Sequence, residues 1–330
     1  MMHRFAAFLG LAGLVFNCAA QAAQPLAFET PIQTLSERIS CSGNIGTADR
    51  SPVLLIAGAG QTVKSNYGWN WIPFLQKANI PYCAVDLPVL GSSELQVGSE
   101  YVTHAIRTTY ARAGNKKIHI IGFSMGGALP RWSIRFWPDV RPMIDDLISL
   151  AGVNHGTLDA VAACLKPCAP AIWQLRTGSA FMAALNKDFE TVPGISYTAL
   201  YTRTDEVAVP NFNQSGTSSL RVGPGVNAAQ VRNIASQDVC PLNFADHLLA
   251  GTSDPVFHAL ALDAIIHAGP ADPKRIPRSI CLKPFMPGVD PVMFPLNFIS
   301  MAALTFTPGI LLTPSVSAEP PLKPYVTSGN

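Results

Sequence analysis

The sequence predicts an α/β fold with a mostly parallel central sheet and helices on both faces. Two patterns carry this expectation. Short apolar, β-branched runs alternate with longer helical segments through the middle of the chain, the order of a parallel sheet wrapped by helices. Most of the runs are almost continuously apolar, as strands covered on both faces should be.

The strand candidates, in order, are Val53–Ile56, Tyr82–Val85, Ile118–Ile121, Leu147–Leu150, Tyr197–Tyr201 and Val231–Ala235. Helical patterns run over about Glu100–Arg112, Met125–Phe136, Ala171–Asn186 and Pro255–His267. Two regions depart from the alternation. Thr157–Pro170 is an Ala-rich insert carrying Cys164 and Cys168, and beyond Ala268 the chain is Pro-rich. Within that tail, the apolar stretch Leu296–Phe306 lies between Pro295 and Pro308, too short and too Pro-bounded for a membrane span. It reads either as a helix or flap laid on the domain or as ordinary core.

Of the 330 residues, 48% are hydrophobic and 13% charged, so a large core is expected and disorder is not. A net charge of +2 with no basic run argues against a nucleic-acid partner. The N-terminus has the order of an export signal: Met1-Met2-His3-Arg4, then an apolar Phe5–Phe16, then the small-residue site Ala20-Gln21-Ala22. The organisation expected is therefore a signal peptide over 1–22 and one domain over 23–330, with a core from about 41 to 281 and a C-terminal extension from about 282. Cys18 leaves with the signal. The remaining six cysteines, in an exported chain, suggest three disulfides among fifteen pairings. Their spacing is not that of a zinc site.

Gly122-Phe123-Ser124-Met125-Gly126 matches G-x-S-x-G and falls between the strand Ile118–Ile121 and a helical segment. Strand, sharp turn and helix are the context that this motif needs in an α/β-hydrolase fold. A serine at such a turn tolerates no Cβ two residues away on either side, which Gly122 and Gly126 satisfy. A serine hydroxyl needs a histidine to take its proton and a carboxylate to fix that histidine's tautomer. The chain order expected is serine, acid, histidine. Asp205 follows the strand Tyr197–Tyr201 and is the expected acid, with Glu206 its neighbour and substitute. His247, in a loop after the last strand and before a helix, is the expected base. His258 and His267 fall within a helical pattern and read as packing or surface residues, and Asp246 reads as surface or structural. The oxyanion would rest on the backbone N–H groups of Met125 and of Ala59, the latter in the loop Ala57-Gly58-Ala59-Gly60-Gln61. Such an enzyme should lose activity below about pH 6 as its histidine charges.

These motifs resemble one family, the lipases of the Candida antarctica lipase B type and their bacterial relatives. The likeness runs from about Cys41 to Cys281. It is carried by Leu54–Gly60, Asn70-Trp71-Ile72-Pro73, the Cys83 strand, Ser124-Met125-Gly126-Gly127, Trp132, Gly156-Thr157, Trp173-Gln174, Thr177-Gly178-Ser179-Ala180, Thr204-Asp205-Glu206 and Asp246-His247. The resemblance implies the triad Ser124, Asp205 and His247. It also implies disulfides Cys41–Cys83 and Cys240–Cys281, leaving Cys164 and Cys168 to each other in the insert that corresponds to the family's mobile lid region. The sequence departs from the family at Ala59, where a threonine would add a third oxyanion donor, and at Met125, where the family has glutamine.

The function expected is a secreted lipase or esterase, extracellular or periplasmic. It would act as a monomer on lipid or other apolar esters, with a possible role for a lipid–water interface, and need neither cofactor nor metal. An extracellular polyester depolymerase with the same triad is the nearest alternative. A non-catalytic surface protein on a hydrolase fold is the alternative of another class.

Overall fold

The computed structural model describes residues 26–327, so the expected signal peptide at 1–22 lies outside the described residues. Seven strands form one sheet: β1 Ile39–Cys41, β2 Val53–Ile56, β3 Tyr82–Val85, β4 Ile118–Phe123, β5 Ile144–Leu150, β6 Ser196–Tyr201 and β7 Val231–Ala235. Their order is β1-β3-β2-β4-β5-β6-β7. All neighbours are parallel except β1, which pairs antiparallel with β3. The expected fold class is thus the observed one.

Side chains alternate across the strands, and this alternation divides the core in two. Leu54, Ile56, Ile118 and Ile120 face one side, with the helices Leu95–Arg112 and Met125–Phe136 packed over them. Val53, Leu55, Ile121 and Phe123 face the other, under the helix Pro255–Ile266. Trp132 and Phe181 stack at 4.2 Å on the first side.

Several elements differ from expectation, each for a local reason. β1 has only three residues, too few to show a period, and Cys41 lies opposite Cys83 in the register, where the two form a disulfide. β5 begins three residues early because Asp146, an unlikely strand residue by composition, is buried against His119 Nδ1 at 2.8 Å. The expected helix Ala171–Asn186 is two helices, Pro170–Gln174 and Ala180–Asn186. Gly178 takes φ +81°, and the Ser179 hydroxyl accepts from the Met182 N–H at 3.0 Å, starting a new helix there. The other disulfides are Cys164–Cys168 and Cys240–Cys281.

The tail departs most. Phe294–Leu304 is helical, and its winding continues in wider turns over Thr305–Leu311, so Pro308 does not end it. The combined 18 residues are long and apolar enough to cross a membrane by length and composition, contrary to the expectation of too short a stretch. Only 17% of that stretch is buried, so it is no ordinary core helix. Its buried side, Met301 and Thr305, rests on the protein, and Leu296, Ile299 and Leu311 face outward. The insert is helical over Leu158–Ala163 and is tied to the tail by paired backbone bonds between Cys168 and Val316. Further on, the Tyr325 hydroxyl accepts from the Trp132 indole at 3.0 Å.

Backbone segments approach very closely where the helix after β4 crosses the sheet. A Cβ at Gly122 would lie 2.0 Å from the Gly126 carbonyl oxygen, and one at Gly126 would lie 2.4 Å from that of Ile56. Gly122→Ala should therefore lower stability by about 1–3 kcal/mol, read from the denaturant midpoint. An unchanged midpoint would mean that strand and helix are not so close.

Candidate active site

The site is built on the turn between β4 and the helix Met125–Phe136. Ser124 occupies that turn with φ 55° and ψ −122°, a backbone conformation that costs a non-glycine residue of order 1–3 kcal/mol. Hydrogen bonds hold it there: the Ser124 N–H donates to Leu150 at 2.9 Å, and its carbonyl accepts from Val153 at 3.2 Å and Gly127 at 3.0 Å. The hydroxyl thus stands at the C-terminal edge of the sheet, at the start of a helix whose first N–H groups have no partner within it.

His247 is the first residue of the short helix His247–Thr252, not a loop residue as expected. Asp246 caps that helix, its carboxylate accepting from the Leu249 N–H at 2.7 Å, which is its structural use. His247 Nε2 lies 2.9 Å from Ser124 Oγ. Nδ1 lies 3.0 Å from both carboxylate oxygens of Asp205. Asp205 follows β6, and its Oδ1 also accepts from the backbone N–H groups of Val207 at 3.0 Å and Ala208 at 2.7 Å. The three side chains are buried, each no more than 8% exposed. Glu206 does not take the place of Asp205: its Oε2 accepts from the backbone N–H of His247 at 3.0 Å and so fixes the start of the helix.

Burial alone would pull the His247 pKa down. The Asp205 carboxylate facing it, with Glu206 and Asp246 nearby, more than offsets burial and holds the pKa above the ordinary 6.5. The acid limb of any chemistry using the neutral imidazole therefore moves upward from the sequence expectation. His258 behaves otherwise: packed 4.9 Å from the Trp71 ring and 4.3 Å from Phe74, it is pushed down to about 3 by burial, in keeping with a packing residue. His267 sits at the surface, paired with Asp263 at 3.0 Å.

The loop Ala57–Gln61 lies directly against the turn, since a Cβ at Gly58 would touch Ser124 Cβ at 3.2 Å. Ala59 lines the cavity together with Ser124 and His247, and Met125 begins the helix beside them. Gln61 lines the cavity as well. Its side-chain nitrogen donates to Thr305 Oγ1 and Met301 Sδ, both at 3.1 Å, joining the loop to the tail helix. The Thr305 hydroxyl is already donating to the Met301 carbonyl at 2.8 Å, so the amide must present its nitrogen there.

The cavity over Ser124 has a volume of about 220 Å³. Ile172, Leu175, Ile310 and Phe306 form apolar walls, and Asp159 lines it as well. Burial raises the Asp159 carboxyl pKa and the nearby His247 lowers it, with burial the stronger. Asp159 and the tail residues were not legible as site residues, because the sequence says nothing about which distant segments close over a strand end. One group with metal-ligating atoms within 4.8 Å of one another exists among the described residues, His119 with Asp145 and Asp146. It lies at the N-terminal ends of β4 and β5, remote from the cavity end of the sheet, and the His119 ring is already bonded to Asp146.

Comparison with known proteins gives concordant results. The family described as Lipase (class 2) matches residues 102–238. Lipase B of Pseudozyma antarctica is 29% identical over 96% of this chain and 93% of its own. The crystal structure of Aspergillus fumigatus lipase B superposes with a TM-score of 0.82 at 23% identity, covering 98% of this chain and 77% of that one. The propeptide form of Bacillus licheniformis lipase BlEst2 matches with a TM-score of 0.50 at 16% identity, over 71% of this chain and 55% of that one. At these identities the structural matches speak for the fold, and the sequence matches speak for the kinship. Together with the seven-stranded sheet, they show an α/β-hydrolase fold and a carboxylester hydrolase similar to these lipases.

Proposed function

We propose that the protein is an exported serine esterase or lipase that hydrolyses lipid or other apolar esters by acyl transfer. Ser124 is the nucleophile, His247 the base and acid, and Asp205 the residue that orients it. The reading rests on one observation: His247 stands between the other two, 2.9 Å from the hydroxyl and 3.0 Å from the carboxylate, beside an apolar cavity.

In the first step His247 Nε2 takes the proton of Ser124 as its oxygen attacks the ester carbonyl. Asp205, held by two backbone N–H groups, keeps the Nδ1 proton in place and stabilises the imidazolium. The tetrahedral oxygen rests on the N–H groups of Ala59 and Met125. His247 then donates its proton to the leaving alcohol, and water releases the acid by the reverse route. The apolar walls suit an acyl chain, and the outward-facing Leu296, Ile299 and Leu311 of the tail helix suit a lipid–water interface. Three disulfides accord with an oxidising compartment outside the cytoplasm.

Ser124→Ala should reduce hydrolysis of a p-nitrophenyl ester by about 10⁴-fold or more. Turnover close to that of the parent would end the assignment. The neutral imidazole is the working form and its pKa is raised, so kcat/KM should fall as pH drops through a midpoint above 6.5. A midpoint at or below that ordinary value would remove His247 as the base. Ala59→Thr should increase kcat by about tenfold, because its hydroxyl adds a third donor to the oxyanion. An unchanged kcat would mean that the 57–61 loop does not meet the oxyanion.

A further inference from the structure

Across the helix His247–Thr252 lies a second cavity, of about 450 Å³ against about 220 Å³ for the one over Ser124. Its volume is within the roughly 300–1,000 Å³ of ligand clefts. Leu248 lines the first cavity and Leu249 the second, so this short helix is the wall between them. The disulfide Cys240–Cys281 lines the second cavity and joins the two segments that form its sides.

Most of its lining is apolar, with Leu249 and Val256 within and Leu242, Phe244 and Leu282 about the rim. Those three rim residues are 81%, 74% and 86% exposed, an unusual concentration of large apolar side chains in water. The lining has two charged residues, Asp254 and Lys283. Asp254 is fully engaged: Oδ1 accepts from the N–H groups of Val256 and Phe257 at 2.8 and 2.9 Å, and Oδ2 accepts from the Asn243 amide at 2.7 Å. Lys283 is exposed, and among the described residues the lysines that pair with carboxylates are Lys117 and Lys323. The site is therefore an apolar trough with one uncommitted cation in its lining. That is the complement of an anionic amphiphile, whose tail leaves water while its head meets the ammonium.

We propose that this second cavity binds a medium-chain monocarboxylic acid, its tail along Leu249 and Val256 and its carboxylate on the Lys283 ammonium. The identity of the ligand rests on the function proposed above, since such acids are the products of that reaction. Nothing larger than the six-residue helix would then separate a bound product from His247.

The experiment blocks the first cavity with diethyl p-nitrophenyl phosphate, which marks a reactive Ser124, and titrates the blocked protein with decanoate and with decanol by calorimetry. Decanoate should bind at one saturable site below its micelle concentration. Lys283→Glu should weaken decanoate by about tenfold, since reversal turns a close attraction into repulsion, and change decanol by less than about twofold. Lys283→Gln should fall between, and an unchanged denaturant midpoint shows that both variants fold. Uptake only above the micelle concentration, no saturable uptake, or equal affinity in all three proteins would overturn the proposal. Failure of the reagent to mark Ser124 would sink the catalytic reading alone, because Lys283 lines only the second cavity and its variants report on that cavity whether or not the first is blocked.

Discussion

The structure depends on one close crossing, where the chain leaves β4, turns through Ser124 at φ 55° and enters a helix against the end of β2. Hydrogen atoms at positions 122 and 126 are what permit it; a methyl group at either would overlap a backbone carbonyl. The same crossing sets three things at once. It lifts the serine hydroxyl above the sheet edge, presents the first N–H of the helix beside it, and brings Gly58 of the β2 loop into contact with the serine. A strained backbone at this point is stable because the surrounding hydrogen bonds to Leu150, Val153 and Gly127 over-determine it.

Three neighbouring acids on two loops act differently on one histidine. Asp205 faces the ring, Glu206 holds the backbone N–H, and Asp246 caps the helix that carries the residue. Each carboxylate is committed to a separate donor, so they do not compete for the imidazole. Their combined charge explains why a fully buried histidine is nevertheless easier to protonate than one in water, the reverse of His258, which is buried among aromatic rings without a carboxylate partner.

The far end of the chain completes the cavity. Its long apolar helix lies with one narrow side on the body of the protein, joined at Gln61 and at the contact of Gly309 with Gly60, and leaves most of its surface outward. The Leu158–Ala163 helix forms the facing wall, and Cys168 and Val316 tie these two late-arriving segments to each other. The ends of the sheet therefore carry Ser124 and Asp205, and the segments outside the alternating strand–helix pattern shape the space in front of them.

The order of strands and helices, the turn at Ser124 and the meeting of Asp205 and His247 beside it were legible in the primary sequence. Such features depend on local periodicity, on glycines two residues from a serine, and on position after a strand, all short-range properties. β1 was invisible because three residues at a sheet edge carry no period, and the break at Gly178–Ser179 was read as continuous helix because apolar spacing outweighed a cap. The early start of β5 depends on His119 meeting Asp146 from another strand. The length and exposure of the tail helix, the place of Asp159 and Thr305 in the cavity, and the second cavity behind His247 were decided by tertiary structure alone. They arise where segments far apart in the chain come together, and the free energy of that packing is not encoded in any single stretch of residues.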